Sequence, residues 1–151
     1  GLIRRLLPAC LKKAKSYMDN QDKKNSLVKE WMHKAERDLD TARLTLDNKP
    51  VYTDIICYHC QQTVEKYLKA YLVYLNTPFE KKHDLDYLID LIVENDKDIE
   101  QFYDTAEILS GYAVEIRYPD DWSEPNAEEA KAAYEIALNI KKYVVKMIDI
   151  K

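Results

Sequence analysis

The sequence predicts an all-α protein, an antiparallel four- or five-helix up-down bundle with an additional N-terminal helical arm. Three observations carry this. Only two glycines, Gly1 and Gly111, occur in 151 residues, whereas sheet-rich and doubly wound folds need glycine at turns and phosphate loops. Long segments rich in Lys, Glu, Leu and Ala repeat their apolar residues at helical spacing. One of them, Asp54 to Leu75, has neither Gly nor Pro and is long enough for about six helical turns.

In chain order, residues 2–18 form a short basic helix started or broken at Pro8, and residues 19–25 read as a polar linker. This gives residues 1–25 as a basic arm and linker and residues 26–151 as the bundle. The arm is expected either to pack Leu6, Leu7, Leu11 and Tyr17 on the bundle or to touch RNA, anionic lipid or a partner protein. Ser26 is a candidate cap for a helix to about Asp47, with Val28, Trp31, Ala35, Leu39, Ala42 and Leu46 on its inner side. Its other side, including Lys34 and Arg37, reads as an ordinary solvated face of mixed charge.

The central helix follows, capped by Thr53 or Asp54. Val64, Tyr67, Leu68, Tyr71 and Leu75 share one broad arc, and His59, Gln62, Lys66 and Lys69 fall on a narrow arc facing away from it. That polar ladder offers two cations and hydrogen-bonding groups without a carboxylate. It is suited to phosphate, or to Asp and Glu of a neighbour. Asp84 can cap a helix to about Glu94 carrying Leu85, Leu88, Ile89 and Ile92. The next helix is expected over Asp98–Glu115, with Ile99, Phe102, Ala106, Leu109 and Ala113 as its stripe. Gly111 within it suggests a close helix approach or room for a ligand. Pro119 and Pro125 exclude a regular helix over residues 116–125. Either Ser123 with Pro125 or an Asn126–Glu129 capping box opens the last helix, lined by Ala130, Ala133, Ala137, Ile140 and Val144.

Composition narrows the function. The scarcity of glycine excludes Walker-type and dinucleotide-fold phosphate loops. A net charge of −4 and a pI near 5.4 give no global attraction to nucleic acid or membrane. Residues 1–24 are nevertheless +5, leaving −9 for the remainder. Three cysteines suggest buried thiols in a reducing cytoplasm, and no apolar run reaches the ~20 residues of a membrane span. The chain begins with Gly1 rather than Met, which points to an expression remnant or a domain cut from a longer chain. Cys57 and Cys60 form a lone C-x-x-C inside a helix, without the further ligands zinc needs or the βαβ setting of a redox motif; no metal and no cofactor is expected. His83 with Asp84 and Asp86 reads as a capping element or an acid–base cluster. Glu65, on an arc adjoining the ladder, could satisfy Arg117. Arg117 itself, between Ile116 and Tyr118 in a rigid Arg-Tyr-Pro bend, could anchor a phosphate or a base, or pair with a Glu.

The segments AERDLDTA at 35–42, YHCQQTVEKYLKAYLVY at 58–74, KHDLDYLI at 82–89, EIRYPDDW at 115–122 and the Ala-rich helix from Asn126 together resemble the HEPN superfamily over about residues 27–149. The resemblance implies a helical bundle that usually forms a homodimer. It also implies membership among metal-independent endoribonuclease toxins often paired with a minimal nucleotidyltransferase, or among members that bind nucleotide or act without catalysis. The nuclease members carry Arg-x(4–6)-His. Here the matching Arg is Arg117, but positions 122–124 are Trp122, Ser123 and Glu124, and no His follows.

The reading therefore leans towards a binding module for a nucleotide, an RNA phosphate or a nucleotidyltransferase partner in a toxin–antitoxin-like system. Its ligand-binding candidates are His59, Gln62, Lys66, Lys69, His83, Arg117 and Tyr118. The alternatives are a divergent endoribonuclease using Arg117 with His59 or His83, and a non-catalytic dimerisation scaffold.

Overall fold

The computed structural model describes residues 9–113, 118–120 and 123–150. Among them all regular structure is helical: α1 (Ala9–Asn48), α2 (Thr53–Tyr74), α3 (Leu85–Val93), a 3₁₀ segment (Lys97–Phe102), α4 (Tyr103–Ser110) and α5 (Ala127–Met147). None of these helices is long and apolar enough to cross a membrane.

α1 corrects the expected linker and Ser26 cap, because it runs unbroken through residues 19–25. None of those residues is Gly or Pro, and each polar residue costs the helix well under ~1 kcal/mol. Gln21 donates to Asn25 one turn on, and Lys24 donates to the Tyr74 carbonyl at the end of α2. Leu11 and Tyr17 do not pack on the bundle; both are exposed. Leu6 and Leu7 lie outside the described residues. Among the described side chains the first buried one of α1 is Val28, and Ala35, Leu39 and Ala42 continue its inner stripe.

A tight turn at Lys49–Tyr52 reverses the chain. Tyr52, not Thr53 or Asp54, occupies the N-cap of α2 and makes no side-chain cap, while Asp54 supplies the first-turn negative charge that suits the helix dipole. Asp38 contacts His59 and Lys66, and Lys24 meets Tyr74, so α1 and α2 are antiparallel. Asn76 ends α2 with φ +57°, a left-handed geometry Asn tolerates. The N–H groups of Asn76 and Thr77 then close on the Val73 and Leu72 carbonyls.

α3 buries Leu85, Leu88, Ile89 and Ile92 as its spacing requires. Asp84 holds the N-cap position but its side chain makes no cap bond, which corrects the capping role expected of His83–Asp84. The single helix expected over 98–115 is instead a 3₁₀ turn followed by the short α4, ending at Ser110. The 3₁₀ turn starts where the Asp96 carboxylate accepts the Asp98 N–H. Gly111 is the C-cap of α4, and a Cβ there would meet nothing within 4 Å among the described residues. Among those residues it marks no close helix approach.

α5 opens with the capping box: Asn126 Oδ1 accepts the Glu129 N–H at 2.8 Å, and Glu129 Oε2 accepts the Asn126 N–H at 2.9 Å. Its buried Ala130, Ala133 and Ala137 let it lie close against α2. Two carboxylates clasp the helices from outside this core. Glu36 of α1 accepts from Tyr67 of α2 at 2.5 Å and from Lys141 of α5 at 2.6 Å. Asp96 accepts from Tyr71 at 2.8 Å and Tyr143 at 2.5 Å. α2 is thus flanked by α1, α3 and α5, and of its polar ladder Lys69 is buried while His59, Gln62 and Lys66 are half-buried.

Candidate functional site

The polar side of α2 divides into two clusters, each centred on a carboxylate. His59 and Lys66 turn towards α1, where both bind Asp38: His59 Nδ1 lies 2.8 Å from Asp38 Oδ1, and the Lys66 ammonium pairs with Oδ2. Burial pushes the Asp38 carboxyl up, but hydrogen bonds and charge from His59 and Lys66 outweigh it and hold the pKa below the usual value. An ionised carboxylate only accepts, so His59 Nδ1 carries a proton and Nε2 is the nitrogen left to other partners.

The second cluster surrounds Glu65, whose side chain is only 4% exposed. Lys69 Nζ is 3.1 Å from one oxygen, His83 Nδ1 2.9 Å from the other, and Gln61 Nε2 lies 3.4 Å from that second oxygen and 3.3 Å from the His83 carbonyl. Gln62 joins by donating to Gln61 Oε1 at 2.7 Å. Lys69 is buried between Trp31 and Phe79, with its ammonium 5.5 and 5.9 Å from the ring centroids. Such an ion pair is tolerable because every charge has a partner. Lys69 therefore holds the connection after α2 in place, and it is the ladder residue furthest from solvent.

The structure thus brings His59 together with Lys66, and Gln62 together with Lys69 and His83, but gives the two histidines to different carboxylates. Tyr118 is exposed. Arg117, and with it the proposed Arg117–Glu65 pair, lies outside the described residues. Cys57 and Cys60 are buried free thiols. Burial pushes Cys57 up to about 11 and raises Cys60 further, so neither is a ready thiolate at neutral pH. No group of three His, Cys, Asp or Glu suited to a metal is present among the described residues.

Sequence reasoning missed Asp38, Lys34 and Arg37 as site residues. With Thr41 and Lys66 they line a cleft of about 250 Å³ between α1 and α2. Lys34 and Arg37 make no ion pair with a carboxylate among the described residues. Three cations therefore surround one half-buried carboxylate. The available signal was the polar row Lys34, Arg37 and Thr41, two cations and a hydroxyl at one-turn spacing on the side of α1 that abuts the ladder.

The HEPN domain model matches residues 28–148, four fifths of the chain. The chain belongs to the HEPN family. The crystal structure of an archaeal HEPN homologue is 26% identical to this HEPN-domain protein, with a TM-score of 0.62, covering 81% of this chain and 98% of that one. A crystal structure of a protein from Thermus thermophilus is 23% identical, with a TM-score of 0.64 and coverage of 80% and 98%; at that identity it supports the fold alone. No curated protein matches the chain.

Proposed function

We propose that this HEPN-domain protein binds the phosphate of a nucleotide or RNA in the cleft between α1 and α2. The observation that carries the reading is the cationic cleft itself, in which Lys34, Arg37 and Lys66 flank Asp38. The guanidinium of Arg37 can meet two phosphate oxygens at once, and the lysines act as point charges. Asp38 holds Lys66 and His59 in place, so the site is preorganised before a ligand enters. Binding fits better than cleavage because each histidine commits one ring nitrogen to a different carboxylate, His59 to Asp38 and His83 to Glu65. Strand cleavage needs its acid and base on one phosphate.

The test is a thermal-shift series with ATP, GTP, inorganic phosphate and short RNA, with RNA integrity read on a gel from the same samples. Stabilisation with intact RNA is expected. Arg37→Ala, an exposed position, should leave unliganded stability within about 0.5 kcal/mol while removing most of the shift. A shift that survives Arg37→Ala together with Lys34→Ala places the ligand elsewhere. RNA cleavage that tracks with this protein's own variants would replace binding by nuclease chemistry.

A further inference from the structure

One turn before Lys34 on α1, Trp31 opens onto a second and larger cleft of about 680 Å³, lined by Leu27, Trp31, Val73, Pro78 and Phe79 with Lys23 and Lys24 at its rim. Its walls are apolar and aromatic, its edge is cationic, and no carboxylate lines it. Trp31 and Phe79 meet edge to face at 6.4 Å, and both are half-buried, so each presents part of a ring to the cleft. The two clefts adjoin: the Lys34 ammonium of the cationic site lies 5.8 Å from the Trp31 ring centroid. Lys24 is shared with a third cleft, of about 690 Å³, that includes Tyr17, Tyr74 and Asp149. From Thr41 to Tyr17 along α1 these clefts form one line of roughly 36 Å, in which cations alternate with aromatic rings. Five cations line it, Lys23, Lys24, Lys34, Arg37 and Lys66, against two carboxylates, Asp38 and Asp149; Lys66 and Asp38 pair with each other, which leaves four cations against one carboxylate.

We propose that the groove at Trp31 and Phe79 is a nucleobase subsite, so that the ligand of the α1–α2 face is a single-stranded polynucleotide and not an isolated phosphate. The inference rests on the phosphate reading above. Phosphate alone would need only the Lys34–Arg37–Lys66 cleft, and one nucleotide that cleft and the aromatic groove, whereas a strand uses the whole line. Its phosphates follow the cations and at least one base enters the aromatic groove, where stacking is tolerant of sequence because every base has a π-face. The buried Lys69–Glu65 pair beneath Trp31 and Phe79 fixes those rings, so the subsite is rigid before binding.

The experiment compares an oligouridine with an abasic oligomer of equal length and charge, at low salt. It follows Trp31 fluorescence in a Trp122→Phe protein, in which Trp31 is the one remaining tryptophan. The expected result is quenching by oligouridine, and binding of the abasic strand at least about tenfold weaker and without quenching. Phe79→Leu, which keeps an apolar side chain but removes the ring, should weaken oligouridine binding and leave abasic binding unchanged. If both strands bind equally and neither quenches, phosphate binding stands and the nucleobase subsite is overturned. If neither strand binds, the phosphate reading falls and this inference with it.

Discussion

Lys69→Met tests the architecture beneath the site. The Lys69 and Glu65 side chains are 8% and 4% exposed and 3.1 Å apart, so removing the ammonium strands a carboxylate in the interior. Breaking a buried pair from one side costs about 3–5 kcal/mol. The lower half of that range applies here, because His83 and Gln61 still reach Glu65 and a Met side chain packs well against Trp31 and Phe79. At about 2–4 °C per kcal/mol for a chain of this size, the melting temperature should fall by roughly 6–16 °C in calorimetry at neutral pH. Glu65→Gln combined with Lys69→Met removes both charges and keeps acceptor and donor groups for His83 and Gln61. The double variant should therefore recover most of the loss, giving a favourable coupling of about 2 kcal/mol. A single variant within about 1 kcal/mol of the native protein, or a double variant no better than the single one, would refute the view that this pair organises the connection over α2.

Two further predictions concern the carboxylates that join the helices. Asp38 and Glu36 both have folded pKa values below their ordinary ones: for each, burial opposes ionisation, but hydrogen bonds outweigh it, from His59 and Lys66 to Asp38 and from Lys141 and Tyr67 to Glu36. Their stabilisation is present above the unfolded values near pH 4 and is lost as pH falls through the depressed folded values. Urea melts between pH 6 and 3 should show stability declining across that acid limb, and Asp38→Asn should flatten it; an equally steep limb in the variant would dissociate Asp38 from it. Asp96→Ala should cost about 2–4 kcal/mol, because it orphans the Tyr71 and Tyr143 hydroxyls and removes the cap at Asp98. Tyr143→Phe should cost only about 1 kcal/mol, and denaturant melts giving equal losses for the two variants would contradict this role of Asp96.

The sequence reading of the ladder succeeded and failed for one reason. His59, Gln62, Lys66 and Lys69 do share an arc, as helical periodicity requires, but an arc does not state what faces it. With α1 and the connection after α2 laid across it, Lys69 became a buried ion-pair partner, Lys66 became a cleft wall, and Glu65, assigned to an adjoining arc, became the hub of the second cluster. Lys34 and Arg37 were read as an ordinary solvated face because mixed charge on an amphipathic helix is the common case. Their proximity to Lys66 depends on the rotation of α1 against α2, which no local pattern encodes.

The amino-acid sequence by itself determined the all-helical class and the apolar stripes of α2, α3 and α5, carried the HEPN resemblance, and left the Asn126–Glu129 capping box as one of two openings for α5. The class, the stripes and the cap arise from interactions within a few turns of chain. Tertiary structure alone decided that Asp38, Glu65 and Asp96 each take partners from another part of the chain, and with that which ladder residue lines a cleft and which is buried. Those outcomes depend on which carboxylate lies opposite which cation or phenol once the helices dock. Ion pairs and hydrogen bonds act over a few ångströms, so residues distant in the chain acquire a common role only when packing sets their register.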